Sequence, residues 1–229
     1  GPRSRELLQS LTPADMSNEV FPFATSQEIE LGYALVRASR ITFVGELGWE
    51  LYVPTEFMLG VYDEIVSVGA KFDLVHAGYH ALNSLRIEKA YRHWSHDITD
   101  EDSPLEAGLG FAVRMNKADG FIGHSALAAQ KENGLDRRMV QFRLQDPQPL
   151  VYHNEPIWRD TDLVGHITSG AYGHTLGGCI GLGYVHVDRG AKAADILSGS
   201  YEIEVAGERI AADASLRPMY DPDNKRIRC

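Results

Sequence analysis

The sequence is poor in several things at once. It has only two cysteines, Cys179 and Cys229, among 229 residues. That excludes a disulfide scaffold and an all-cysteine zinc site, and it makes a reducing compartment the plain expectation. Cations are outnumbered, 22 Lys and Arg against 32 Asp and Glu, for a formal charge of −10. A chain of that balance lacks the clustered positive charge that holds a phosphate backbone, so nucleic acid is not an expected partner. No run approaches the ~18 apolar residues of a membrane span, so no membrane partner is expected either. No G-x-G-x-x-G opens a strand-to-helix turn, and no G-x-S-x-G elbow marks a serine hydrolase. Internal repeats and low-complexity tracts are missing too.

What remains is a globular composition, 44% hydrophobic and 24% charged, enough for one large domain or two small ones. The chain opens on Arg3-Ser-Arg-Glu-Leu-Leu-Gln-Ser-Leu11, an amphipathic helix with Leu7, Leu8 and Leu11 on one side. There is no initiator methionine and no targeting segment, and such an opening reads as a fragment of something longer. Ile29–Val36 and Ile41–Val44 read as strands, and Trp49–Val53 as a strand stopped by Pro54. Helices are expected over Phe57–Lys71, Gly78–Trp94 and Phe121–Lys131, the last closed by Asn133-Gly134. After Arg137 short strands recur with turns between them, at 139–144, 156–159, 163–167, 179–187, 201–205 and 209–213. That spacing argues for a small antiparallel barrel. The expected fold class is therefore α+β, with a division into 1–134 and 135–229.

Three constellations are candidates for chemistry. If Val44 pairs with Trp49 in a hairpin, Phe43 faces Glu50 on one side of the ladder. A solvent-facing strand carboxylate is the ordinary reading of Glu50. The functional alternative is a clamp, in which a carboxylate accepts two parallel hydrogen bonds from a flat heterocycle and a ring walls it. His93, His96 and Asp97 suggest a metal site by residue type, but a helix C-terminus attracts His through its dipole alone, and no further ligands are evident. Ser169–Gly178 is glycine-rich. It lacks the order of a nucleotide loop and fits better as a sharp connection that lets Tyr172 or His174 reach a cleft. Nothing marks either cysteine as a nucleophile.

Longer runs carry a resemblance. Gly1-Pro-Arg-Ser-Arg-Glu-Leu-Leu8, Phe43-Val-Gly-Glu-Leu-Gly-Trp-Glu50, Leu85–Asp97 with Pro104-Leu-Glu-Ala-Gly-Leu-Gly110, Phe121-Ile-Gly123 and Thr168–Gly177 resemble the glycine cleavage T-protein (aminomethyltransferase) family. They are most similar to its branch in the C-terminal half of dimethylglycine and sarcosine dehydrogenases. The resemblance implies a folate-binding module, of which this chain holds the remainder followed by the C-terminal barrel. In that branch an FAD domain, separate and N-terminal, oxidises an N-methyl amine to an iminium. Tetrahydrofolate then captures the one-carbon unit as 5,10-methylene-tetrahydrofolate. The family's pterin-gripping glutamate corresponds to Glu50. Its aromatic partner, usually Tyr, is Phe43 here, so a wall remains without the hydroxyl. Its folate-side arginine corresponds to Arg86. Trp94 and Tyr172 are further expected folate contacts, and no metal is expected. The family's catalytic aspartate lies upstream of the segment with which this chain begins, so activity is expected of a longer chain. Partners implied are folate, the iminium and the FAD-dependent oxidoreductase domain or subunit. The rival reading is a regulatory or structural module that keeps the pocket and has lost the chemistry. Cytoplasm is the expected location, with the mitochondrial matrix as the alternative.

Overall fold

The computed structural model describes all 229 residues. The chain divides into two compact units, one of 1–82 with 223–229 and one of 83–222.

The first unit is a small sheet with helices. Helix α1 (Ser4–Gln9) buries Leu7 and Leu8. Strands β1 (Ser26–Leu31), β2 (Ala34–Ser39) and β3 (Glu50–Tyr52) form an antiparallel sheet in that order. In β1 and β2 burial alternates with period two: Ile29, Leu31, Ala34, Val36 and Ala38 face the core, while Glu28, Glu30 and Arg37 face out. The stretch expected as one strand, Ile29–Val36, is a hairpin instead, because Leu31 pairs with Ala34 and Gly32 turns the chain at φ +56°. Helix α2 (Met58–Gly69) follows a short 3-10 turn at Thr55–Phe57, so Phe57 stays partly exposed while Val61 is buried. Phe21 and Met16 sit at the centre of this core, with no exposed surface.

The expected ladder between Ile41–Val44 and Trp49–Val53 does not form. Glu50 pairs with Ser39 of β2, and 40–49 is irregular loop. The reason lies in two large side chains. Trp49 turns edge-on to Phe21, with centroids 6.0 Å apart, and the buried Arg40 guanidinium lies 5.5 Å from the Trp49 ring and donates to the Phe21 carbonyl. Packing of this kind draws both ends of the loop inward and outweighs local strand propensity.

Helix α3 (Tyr79–Glu88) leads into the second unit and stops sooner than its pattern suggested. Ala90 adopts φ +54°, and 91–94 carry no helix. His93 and His96 are therefore not neighbours on a helix face. They belong to a turn, with rings 4.7 Å apart. Helix α4 (His124–Asn133) begins at His124, because Gly123 takes φ +87°.

The rest is a closed six-stranded barrel. Its strands are β4 (Arg137–Leu144), β5 (Pro156–Arg159), β6 (Asp162–Gly173), β7 (Gly178–His186), β8 (Tyr201–Val205) and β9 (Glu208–Ser215), in the order β4-β7-β6-β5-β8-β9. Phe142, Leu144, Ile157, Ile167, Val185 and Ile203 fill the interior. Strand β7 is buried on both faces. Its Ile180, Leu182 and Tyr184 point away from the interior and pack with Ile87 of α3 and with Ala90. Gly183 is required because a methyl there would meet the backbone carbonyl oxygen of His166, as well as the Ile157 Cδ1, at 2.6 Å. Two short helices, α5 (Ala193–Leu197) and α6 (Lys225–Arg228), complete the chain. No helix is long and apolar enough to cross a membrane.

Candidate functional site

In the first unit a cavity of about 680 Å³ opens beside the 40–49 loop. Phe43 and Glu50 both line it, with Ile41, Leu47, Trp49 and Leu74 supplying apolar wall. The two residues expected to act together are thus brought to one cavity by a loop, not by a ladder. The size lies within the ~300–1,000 Å³ of small-molecule pockets. Glu50 opens β3 and is solvent-accessible. Its Oε2 accepts a 2.8 Å hydrogen bond from the Tyr52 hydroxyl. That bond and the carboxylate's charge raise the Tyr52 pKa above its ordinary value. The sequence reading passed over Tyr52, although residues i and i+2 of a strand share a face. That spacing was the available signal.

The second unit treats its polar residues differently. Arg86 is only 2% exposed, and its donors are engaged. It forms an ion pair with Asp97 and donates to Ser169 Oγ (2.8 Å), Asn83 Oδ1 (3.1 Å) and the Tyr91 carbonyl (3.1 Å). Asp97 also accepts from the His93 N–H at 2.8 Å and the Thr168 hydroxyl at 2.6 Å. The β6–β7 register shifts between Ile167 and Ser169. A bulge of this kind redirects side chains out of the ladder, and here it aims Thr168 and Ser169 at the Asp97–Arg86 pair. Arg86 is therefore no free cation, and Asp97 no free metal ligand.

Glu88, 1% exposed, is another residue that the sequence did not single out. Its Oε1 accepts the N–H groups of Thr175 and Leu176, both at 2.8 Å. The glycine-rich turn between β6 and β7 is shaped as an anion nest, and the anion it holds is the chain's own carboxylate. Lys89 is fully buried and pairs with Asp221, while Gln141 Nε2 closes the end of α3 on the carbonyls of Ile87 and Glu88. These pairings explain how so polar a helix end can pack. Tyr172 is half-buried in β6. Its carbonyl accepts from Ser84 Oγ at 2.6 Å, and its ring stands 5.1 Å from that of His174. Trp94 is 63% exposed in the turn after α3. Arg86 to Ser169 and Ser84 to the Tyr172 carbonyl are two separate ties between α3 and β6, and Trp94 takes part in neither. Cys179 is buried and its thiol pushed up by that burial, as suits an inert group.

Known proteins are similar to this chain in sequence and in fold. Residues 1–117 match the family model of the GCVT N-terminal domain, and residues 137–221 that of the glycine cleavage T-protein C-terminal barrel domain. Sarcosine dehydrogenase, mitochondrial, from Homo sapiens is 43% identical over 230 residues, covering 100% of this chain and 25% of that protein. The pyruvate dehydrogenase phosphatase regulatory subunit, mitochondrial, from Mus musculus is 39% identical over 231 residues, covering 96% and 26%. The chain thus spans about a quarter of the length of these relatives. The crystal structure of glycine cleavage system aminomethyltransferase T from Bartonella henselae matches with a TM-score of 0.78, at 23% identity, over 95% of this chain and 57% of that one. That likeness concerns the fold alone. The first family model takes in more than half of the residues, and the second takes in the barrel, so the chain belongs to the glycine cleavage T-protein family.

Proposed function

We propose that this chain is the folate-binding part of a flavoenzyme of the sarcosine dehydrogenase kind, acting in transfer of a one-carbon unit to tetrahydrofolate. The observation that carries the reading is the Glu50 carboxylate at an apolar cavity walled by Phe43. A pterin presents an amino group and a ring N–H side by side, and a carboxylate accepts both. Glu50 suits such an edge, because Tyr52 occupies Oε2 from one side and Oε1 receives no side-chain donor. Phe43 offers an apolar face to the heterocycle.

In this proposal tetrahydrofolate would supply N5 and N10, which both bond to the carbon of an iminium derived from an N-methyl amine. The bonds from that carbon to the amine nitrogen break, the demethylated amine leaves carrying the two folate N–H protons, and 5,10-methylene-tetrahydrofolate results. The residues of this chain bind and orient. Glu50 fixes the pterin edge, Phe43 and Trp49 exclude water from its face, and Tyr52 holds the Glu50 rotamer. Arg86 enters as an internal brace of the second unit, together with Tyr172, and Trp94 as an exposed ring free to cover a ligand. The proton-handling aspartate and the FAD-dependent oxidation are assigned to parts of a longer protein. Cytoplasm and mitochondrial matrix both suit such an enzyme.

The test is anaerobic calorimetry with tetrahydrofolate on the intact protein. Two charge-assisted bonds are worth about 3 kcal/mol together, so Glu50→Ala is expected to weaken binding by roughly 100-fold. Phe43→Tyr keeps the wall and is expected to change it little. Equal losses in the two variants, or none, would remove Glu50 from the role. A second reading is favoured by the regulatory-subunit relative at 39% identity. In it the module binds partners and no folate. A folded protein with no tetrahydrofolate binding would support that reading over the first.

A further inference from the structure

A second site lies in the other unit and does not rest on the folate reading. Two guanidinium groups converge beside Gly108, which has φ +74° and no side chain to separate them. A methyl at that position would meet Arg92 Nη2 at 2.7 Å and Arg138 Nη2 at 3.3 Å. No carboxylate is bonded to either. Asp97 is taken by Arg86, and Asp102 and Glu106 by Arg137 at 2.8 and 3.3 Å. Arg92 and Arg138 are instead held by carbonyls: Arg92 donates to Ala107 and Ala90, and Arg138 to Leu105. Carbonyl contacts fix orientation without neutralising charge; Asp97 offsets Arg92 in part from a distance, and no carboxylate acts on Arg138.

Beside them is a cavity of about 440 Å³, lined by Arg138, Gly108, Gly110, Phe111, Lys131 and Gln130, among others. Lys131 adds a third cation at its wall. The Gln130 Oε1 is buried with no hydrogen-bond partner, an acceptor in want of a donor. Like charges held together cost stability unless something offsets them, and both arginines have pKa values lowered, first by burial and, for Arg92, also by Arg138.

We propose that the cavity beside Gly108 is an oxyanion site, in which Arg138 grips a phosphate or carboxylate group with Lys131 beside it, while Arg92, behind Gly108 and outside the lining, adds its charge. Guanidinium forks match planar, paired oxygens. Hydrogen phosphate also carries a hydroxyl that can donate to Gln130 Oε1, whereas a dicarboxylate ionised at both ends brings no such donor. The shared chemistry is the oxyanion, and the source is what the experiment separates.

The experiment is thermal unfolding of the intact protein titrated with inorganic phosphate and, separately, with glutarate, against sodium chloride of equal ionic strength. A specific site gives a saturable rise in Tm of roughly 2–4 °C beyond the chloride control. Saturation by phosphate alone assigns the site to a phosphate group, by glutarate alone to a carboxylate, and by both to an oxyanion of either kind. Arg138→Gln is expected to abolish the rise. Because Arg138 also braces the Leu105 carbonyl, Lys131→Gln serves as the second variant, and it is expected to raise the half-saturating concentration about threefold or more. No saturable rise with either anion would overturn the proposal. So would a rise that persists unchanged in Lys131→Gln together with Arg138→Gln or, should that variant not fold, in Lys131→Gln alone.

Discussion

The two units make opposite use of polar residues. In 83–222 the charges at the end of α3 are almost fully buried and nearly all satisfied by the chain itself: Arg86 by Asp97, Glu88 by two backbone N–H groups, Lys89 by Asp221. In 1–82 the candidate carboxylate, Glu50, is accessible and held by a single tyrosine. A buried pair stays charged only when its partners are fixed, so its energy goes into the fold. An accessible carboxylate at an apolar cavity retains bonds to give to a ligand. Residue type alone therefore misleads here. The more polar segment is the more structural one.

The sharpest way to break this contrast is at Asp97. Asp97→Ala leaves the Arg86 guanidinium buried without its counter-ion. Loss of one partner of a buried pair costs about 3–5 kcal/mol. Urea unfolding should show that loss, and the Arg86→Met/Asp97→Leu double variant should regain much of it. A loss below about 1 kcal/mol would mean that water reaches the pair, and the contrast would fail. Glu88→Ala is the next largest. It frees the N–H groups of Thr175 and Leu176, at a cost of about 1–3 kcal/mol for each one left buried and unsatisfied. Faster amide exchange confined to the β6–β7 turn would confirm the nest, and unchanged exchange there would refute it.

How much of this was visible in the sequence follows the range of the forces involved. The barrel was legible because alternation and turn signals are local. Pro156–Arg159 and Tyr201–Val205 stand where the pattern put them. The loop before Glu50 was not, because Trp49 and Arg40 are drawn to Phe21, which is far away in sequence. Helix α3 ended early for a similar reason. A left-handed Ala90 and carbonyls capped by Gln141, more than fifty residues on, have no local signature. In the candidate site, Phe43 and Glu50 were found by residue type and resemblance, and their shared cavity was reached by the wrong geometry. Glu88 was missed because a carboxylate within a charged helix end reads as solvated.

The smallest expected effect is at Tyr52, and it tests the accessible side of the contrast most finely. Its phenol donates to Glu50 only while neutral. Ionisation would replace a hydrogen bond by repulsion between two anions, and this is the sign behind its raised pKa. Glu50→Gln removes the charge and should return the Tyr52 titration, followed by NMR of the labelled ring, toward its ordinary value near 10.0. Tyr52→Phe should leave stability nearly unchanged, because the pair is exposed. If Tyr52 fixes the Glu50 rotamer, the same variant should weaken tetrahydrofolate binding by about two- to fivefold, well short of Glu50→Ala. A binding loss as large as that of Glu50→Ala would make Tyr52 a direct ligand contact. No loss at all would leave Glu50 oriented by its backbone alone, and the accessible carboxylate would need no support from its strand.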